Sequence, residues 1–124
     1  MRNAVNAGRN VGITMKVVRV GDGLPYDAPK HFKYWSMNKI FGDDAQRLTI
    51  GVSHFLPGGG AEMSSSLMER VYYVVRGSIL VKGKDEEHLL GPDDMIYFGP
   101  GEERGFEVQG TTPATIIVII VKVD

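Results

Sequence analysis

The residues with chemical potential cluster in one stretch, MSSSLMERVYYVVRG, from Met63 to Gly77. Ser64 and Ser66 are two apart, so on a strand they share one face while Ser65 takes the other. By the same rule Arg70 shares a face with Tyr72, and further along Arg104 shares one with Phe106. A serine becomes a nucleophile only beside a base, and the chain has no nucleophile-elbow pattern. Hydrogen bonding to a ligand or to water is the better use of Ser64 and Ser66. His54 is the candidate general base, because imidazole titrates near neutrality and this is the histidine nearest the stretch. It would have to face the same space as the serines, and alternation alone does not say which face of residues 47–56 is inward. His31 falls in a loop and His88 lies next to Glu86 and Glu87, so both read as surface residues.

Composition narrows what these groups can serve. The chain has 124 residues, enough for one domain with one core. Lys and Arg number 14 against 15 Asp and Glu, for a net charge of −1. So even a balance, with no basic stripe, argues against a nucleic acid or an anionic membrane as partner. There is no cysteine, which excludes disulfides, thiolate metal sites and a thiol nucleophile, and fits a reducing cytoplasm. No apolar run approaches the roughly 20 residues needed to span a bilayer. IIVIIV, from Ile116 to Val121, has the length of a buried strand.

The elements that must position the candidates are strands. Sixteen Gly and six Pro punctuate the chain at short intervals, and the segments between them are rich in Val, Ile, Tyr and Phe. No window carries apolar residues at helical spacing over three turns. Short strands with Gly/Pro turns at this rhythm predict an antiparallel sandwich or barrel. Residues 15–20 (MKVVRV) read as a first strand, followed by a long loop over 21–31. RLTIGVSHFL reads as a strand that stops at PGGG, with the weaker AEMSSS after it. Residues 1–14 read as a flexible extension, and 15–124 as one barrel domain.

At this point the chain resembles the cupins, small jelly-roll barrels. FLPGGG followed by YYVVRGSILV is similar to the first cupin motif, and LLGPDDMIYFGPGEERGFEV to the second. The resemblance covers roughly residues 47–121. It places Gly58 and Gly77 at the first motif's scaffold glycines, and Gly99 and Gly101 at the turn of the second. It also implies a metal held by two histidines, a glutamate and a third histidine. Here those four positions are Ser64, Ser66, Arg70 and Arg104. Transition metals want imidazole or carboxylate ligands, and guanidinium is a permanent cation with no lone pair to give.

The resemblance therefore implies a barrel lumen with two arginines where a metal would sit. Either each pairs with a carboxylate such as Glu62, Glu69 or Glu107, or a ligand anion takes that place. The expected function is metal-independent binding of a small, carboxylate-type organic anion. Arg70 and Arg104 grip it, Ser64 and Ser66 orient it, and Tyr72, Phe106 and Trp35 form walls. The enzymatic version is an isomerase, lyase, cyclase or decarboxylase using His54, Tyr72 and Arg104. The alternatives are a non-catalytic sensor domain, and a metal-dependent cupin with ligands displaced to Glu62, His54 and Glu69. The resemblance further implies a homodimer formed through strand edges.

Overall fold

The computed structural model describes residues 15–123; the extension expected over 1–14 lies outside them. Nine strands account for most of the described residues: β1 (Leu24–Tyr26), β2 (His31–Ile40), β3 (Leu48–Ser64), β4 (Glu69–Arg76), β5 (Ile79–Lys82), β6 (Glu87–Leu90), β7 (Met95–Phe98), β8 (Arg104–Val108) and β9 (Ala114–Val121). All pairings are antiparallel, in the order β6-β5-β8-β3-β9-β4-β7, with β2 on β3 and β1 on β2. The nearly closed result is a jelly-roll barrel.

The structure differs from the sequence expectation at two segments. Residues 15–20 form no strand, and several of their side chains are almost fully exposed, among them Met15 and Val20. Their apolar run has no partner strand to pair with; the first strand lies instead inside the supposed long loop. PGGG does not end a strand either. β3 runs through it for 17 residues, pairing with β9 over Leu48–Phe55 and with β8 over Gly60–Ser64. The glycines let one strand bend and serve both sheets. At Gly60 the backbones approach so closely that a Cβ would lie 2.1 Å from the Phe106 carbonyl oxygen.

Gly77 closes the tight link from β4 to β5. Its φ is +82°, and a Cβ there would meet the Ala114 backbone at 2.6 Å. Only glycine suits both conditions. The link lets β4 and β5 bring Val74, Ile79 and Val81 together with Phe55, Ala114 and Ile116, all at most 1% exposed. That cluster fills one end of the barrel. The other end is open inside, and the candidate site lies there.

Candidate functional site

Period-2 alternation decides what each strand offers the lumen. On β4, Arg70, Tyr72 and Val74 point inward. On β8, Arg104, Phe106 and Val108 do the same and are buried. On β3, Ser53 and Phe55 are inward and buried, so His54 between them points out. Together these strands enclose a cavity of about 570 Å³. Ser64, Ser65, Ser66, Arg70, Tyr72 and Arg104 line its mouth and wall, and Ile116, Val118 and Ile120 of β9 supply apolar surface. Tyr72 and Phe106 form an aromatic floor, their rings 5.5 Å apart edge to face.

The two arginines are held differently. Arg104 is 9% exposed, and its Nη1 donates to the Ser64 carbonyl across the β3–β8 ladder at 2.9 Å. Its Nε is buried with no hydrogen-bond partner among the described residues. Arg70 is half-buried. Burial, and after it the charge of Arg104, lower its guanidinium from the ordinary value. Neither arginine has an ion pair among the described residues. The three carboxylates that could have paired with them face elsewhere. Glu69 accepts a hydrogen bond from the Tyr97 hydroxyl at 2.8 Å outside the barrel, and Glu62 and Glu107 are exposed. Among the described residues no Asp or Glu lines the cavity, while Lys30, Arg70 and Arg104 do.

Two predicted site residues are elsewhere. His54 is on the outer face, its Nδ1 hydrogen-bonded to Thr115 Oγ1 at 2.9 Å and its ring stacked on Trp35 at 5.7 Å. Trp35 is 54% exposed and lines no part of the lumen. Both are excluded by their neighbours: Ser36 and Ser53 are the buried pair, and an adjacent residue on a strand must point the other way. The remaining candidates, Ser64, Ser66, Arg70, Tyr72, Arg104 and Phe106, all line the one cavity.

The structure adds residues that sequence reasoning did not select. Ser36 and Ser53 face each other across β2 and β3, their hydroxyls 2.7 Å apart and buried in the cavity wall. Serine at inward positions of apolar strands was the available signal. His31, read as a surface loop residue, opens β2 and lines the cavity. The preceding Lys30 takes a left-handed conformation (φ 62°) and turns the chain inward. The turn after β7 also closes on this end: the Gly101 amide donates to the Ser66 carbonyl at 2.7 Å.

The donor set does not fit a metal. The positions that hold it in the resembled motif carry two hydroxyls and two cations, and a second positive charge repels a divalent ion. The displaced alternative fails on geometry. A one-residue register shift would bring Glu69 inward, but Arg70 pairs with Phe98 and Ile120 and is itself the lumen residue; the β4 bulge comes later, between Val74 and Arg76. Glu62, His54 and Glu69 do not converge, and among the described residues no three His, Asp or Glu side chains do.

Comparison with known proteins agrees with this architecture. Residues 51–120 match the Cupin domain family. The chain is 30% identical over 109 residues to a Mycobacterium tuberculosis protein named beta-D-galactosidase, covering 86% of this chain and 93% of that one. Among solved structures it resembles the polyketide cyclase RemF from Streptomyces resistomycificus, with a TM-score of 0.74 and 24% identity over 87% of this chain and 80% of that one. It also resembles a predicted oxalate decarboxylase from Thermotoga maritima, with a TM-score of 0.73 and 14% identity over 87% of this chain and 100% of that one. At those identities the two structures speak for the fold alone. The family match spans more than half of the sequence and includes β4 and β8, which carry Arg70 and Arg104, so the chain belongs to the cupin superfamily.

Proposed function

We propose that the lumen binds a small organic anion without a metal, its carboxylate gripped by Arg70 and Arg104. The observation that carries this reading is the charge of the cavity. Among the described residues three cationic side chains line it and no carboxylate does, in a chain whose net charge is −1. Lys30 is exposed, but Arg70 is half-buried and Arg104 buried; cations taken out of water need a counter-charge, and here the protein supplies none among the described residues. The unpaired Arg104 Nε is a donor waiting for an acceptor. Two forked guanidinium groups match the two oxygens of a carboxylate. Ser64 and Ser66 then orient the ligand, and Tyr72 and Phe106 close over its apolar part.

In its enzymatic form, as an isomerase, lyase, cyclase or decarboxylase, the site uses the arginines to stabilise negative charge as it develops on the substrate. The names of two fold relatives, a polyketide cyclase and a predicted oxalate decarboxylase, belong to that range. The name of the mycobacterial relative points to glycoside hydrolysis instead. That chemistry ordinarily needs two carboxylates flanking the scissile bond, and among the described residues none lines this cavity. The relative bears instead on the ligand: Ser36, Ser53 and Asn38 offer hydroxyl and amide partners to a hydroxylated acid.

Thermal unfolding with a panel of small carboxylates, malonate first, tests the proposal. A ligand that binds only the native state raises the melting temperature. The wild-type protein should show the rise and Arg104→Ala should not, with both retaining the same circular dichroism. An equal rise in the two proteins would contradict the assignment.

A further inference from the structure

His31 is the one histidine that lines the cavity. Its ring is stacked on Phe55 at 6.0 Å and lies edge-on to Phe106 at 6.3 Å, with Tyr34 5.2 Å away. Nδ1 lies 2.8 Å from the Pro29 carbonyl oxygen. A carbonyl can only accept, so Nδ1 carries the hydrogen and donates. In the neutral ring Nε2 is then the nitrogen with the lone pair. It has no hydrogen-bond partner among the described residues.

We propose that His31 is the acid–base group of the lumen, its Nε2 taking up a proton when an anion occupies Arg70 and Arg104. The inference rests on the anion-binding reading above and adds the residue that makes the site responsive. The protein's own groups hold His31 below the ordinary imidazole value of 6.5. Burial is the main cause; the hydrogen bond to Pro29 opposes it, and the charges of Arg104 and Arg70 add to it. The other ionisable groups around the ring are Lys30 in the turn before it, Tyr26 of β1, Tyr72 of β4, and Tyr34, whose hydroxyl donates to Asp27 at 2.9 Å. An anion between the arginines cancels part of the field that keeps the ring neutral. Linkage then runs both ways: the bound anion raises proton affinity at Nε2, and the protonated ring tightens the anion.

This makes a base that strengthens only when the ligand is in place. For a ligand with a C–H bond next to a carbonyl, the step balances as follows. The C–H bond breaks, the proton goes to Nε2, and the electron pair moves into the carbonyl to give an enolate whose oxygen an arginine holds. Returning the proton to a different atom completes an isomerisation and regenerates the neutral ring.

The test is an imidazole 15N NMR titration of the full chain with and without saturating malonate, together with malonate Kd from pH 8 to pH 6. The free protein should show the Nδ1–H tautomer. Malonate should move the His31 midpoint upward, and its Kd should fall by about tenfold over that range, an ordinary coupling between two sites. The pH dependence should disappear in His31→Asn, whose amide can still donate to the Pro29 carbonyl. An Nε2–H tautomer, or a His31 midpoint unmoved while malonate is bound, would overturn the inference and leave the anion site standing. No malonate binding by the wild-type protein would overturn both.

Discussion

The two ends of this barrel are built from the same strands, yet they solve opposite problems. On β4, Val74 is fully buried against Ile79 and Val81, while Arg70, four residues earlier on the same face, stands in an open cavity. On β8, Val108 belongs to the packed end and Arg104 to the hollow one. On β3, Phe55 fills the core and Ser64 lines the mouth. The packed end buries apolar surface at about 25 cal/mol per Å², which stabilises the fold. The hollow end buries Arg104, and half-buries Arg70, without carboxylate partners among the described residues, which does not. Stability and binding are thus segregated along the barrel axis, and substitutions at equally inward positions should have opposite consequences.

The largest expected effect is at the packed end. Phe55 is 1% exposed and meets Phe106 edge to face at 5.0 Å. Phe55→Ala should cost about 3–5 kcal/mol by urea unfolding, a large share of the stability of a domain this size. At the hollow end Arg104→Leu should reverse the pattern. Removing a buried cation with an unsatisfied Nε should leave stability unchanged or raise it by about 1 kcal/mol. The same variant should weaken malonate binding by about 30-fold or more, the loss expected for one partner of a charge pair. A destabilised Arg104→Leu protein would erase the distinction between the two ends.

A smaller effect sharpens the boundary. The Ser36–Ser53 hydroxyl pair sits in the cavity wall. Ser53→Ala should cost about 1 kcal/mol by leaving its partner hydroxyl unsatisfied, and the Ser36→Ala/Ser53→Ala double variant should cost less than the sum of the singles.

The smallest effect is a pH slope. His31 is lowered in the folded protein, so below the ordinary imidazole value the unfolded chain binds a proton the folded one resists. Its contribution to stability is present above pH 6.5 and is lost as the pH falls below it. The difference between wild type and His31→Asn in urea unfolding should therefore shrink or change sign from pH 7 to pH 5; a constant difference would contradict it.

Much of this was legible in the sequence. The barrel showed in the rhythm of Gly/Pro turns and β-branched segments. Four cavity residues, Ser64, Ser66, Arg70 and Arg104, followed from motif positions, and Tyr72 and Phe106 from alternation. His54 and Trp35 were misplaced because alternation pairs residues into faces without saying which face is inside. The tertiary structure decides that: Ser36 and Ser53 are paired and buried, so Trp35 and His54, paired one residue along, face out. His31 was missed because its direction depends on the left-handed Lys30, a conformation that lysine adopts seldom and its sequence does not announce. PGGG misled because glycine runs can bend a strand as well as end one.

The central claim is that an anion fills the space between Arg70 and Arg104. A crystal structure of the protein soaked in malonate tests it most directly. The expected result is a carboxylate hydrogen-bonded by both guanidinium groups, including the Nε of Arg104. A protein carboxylate drawn in from Glu62, Glu69 or Glu107, or a metal ion coordinated in the lumen, would contradict it.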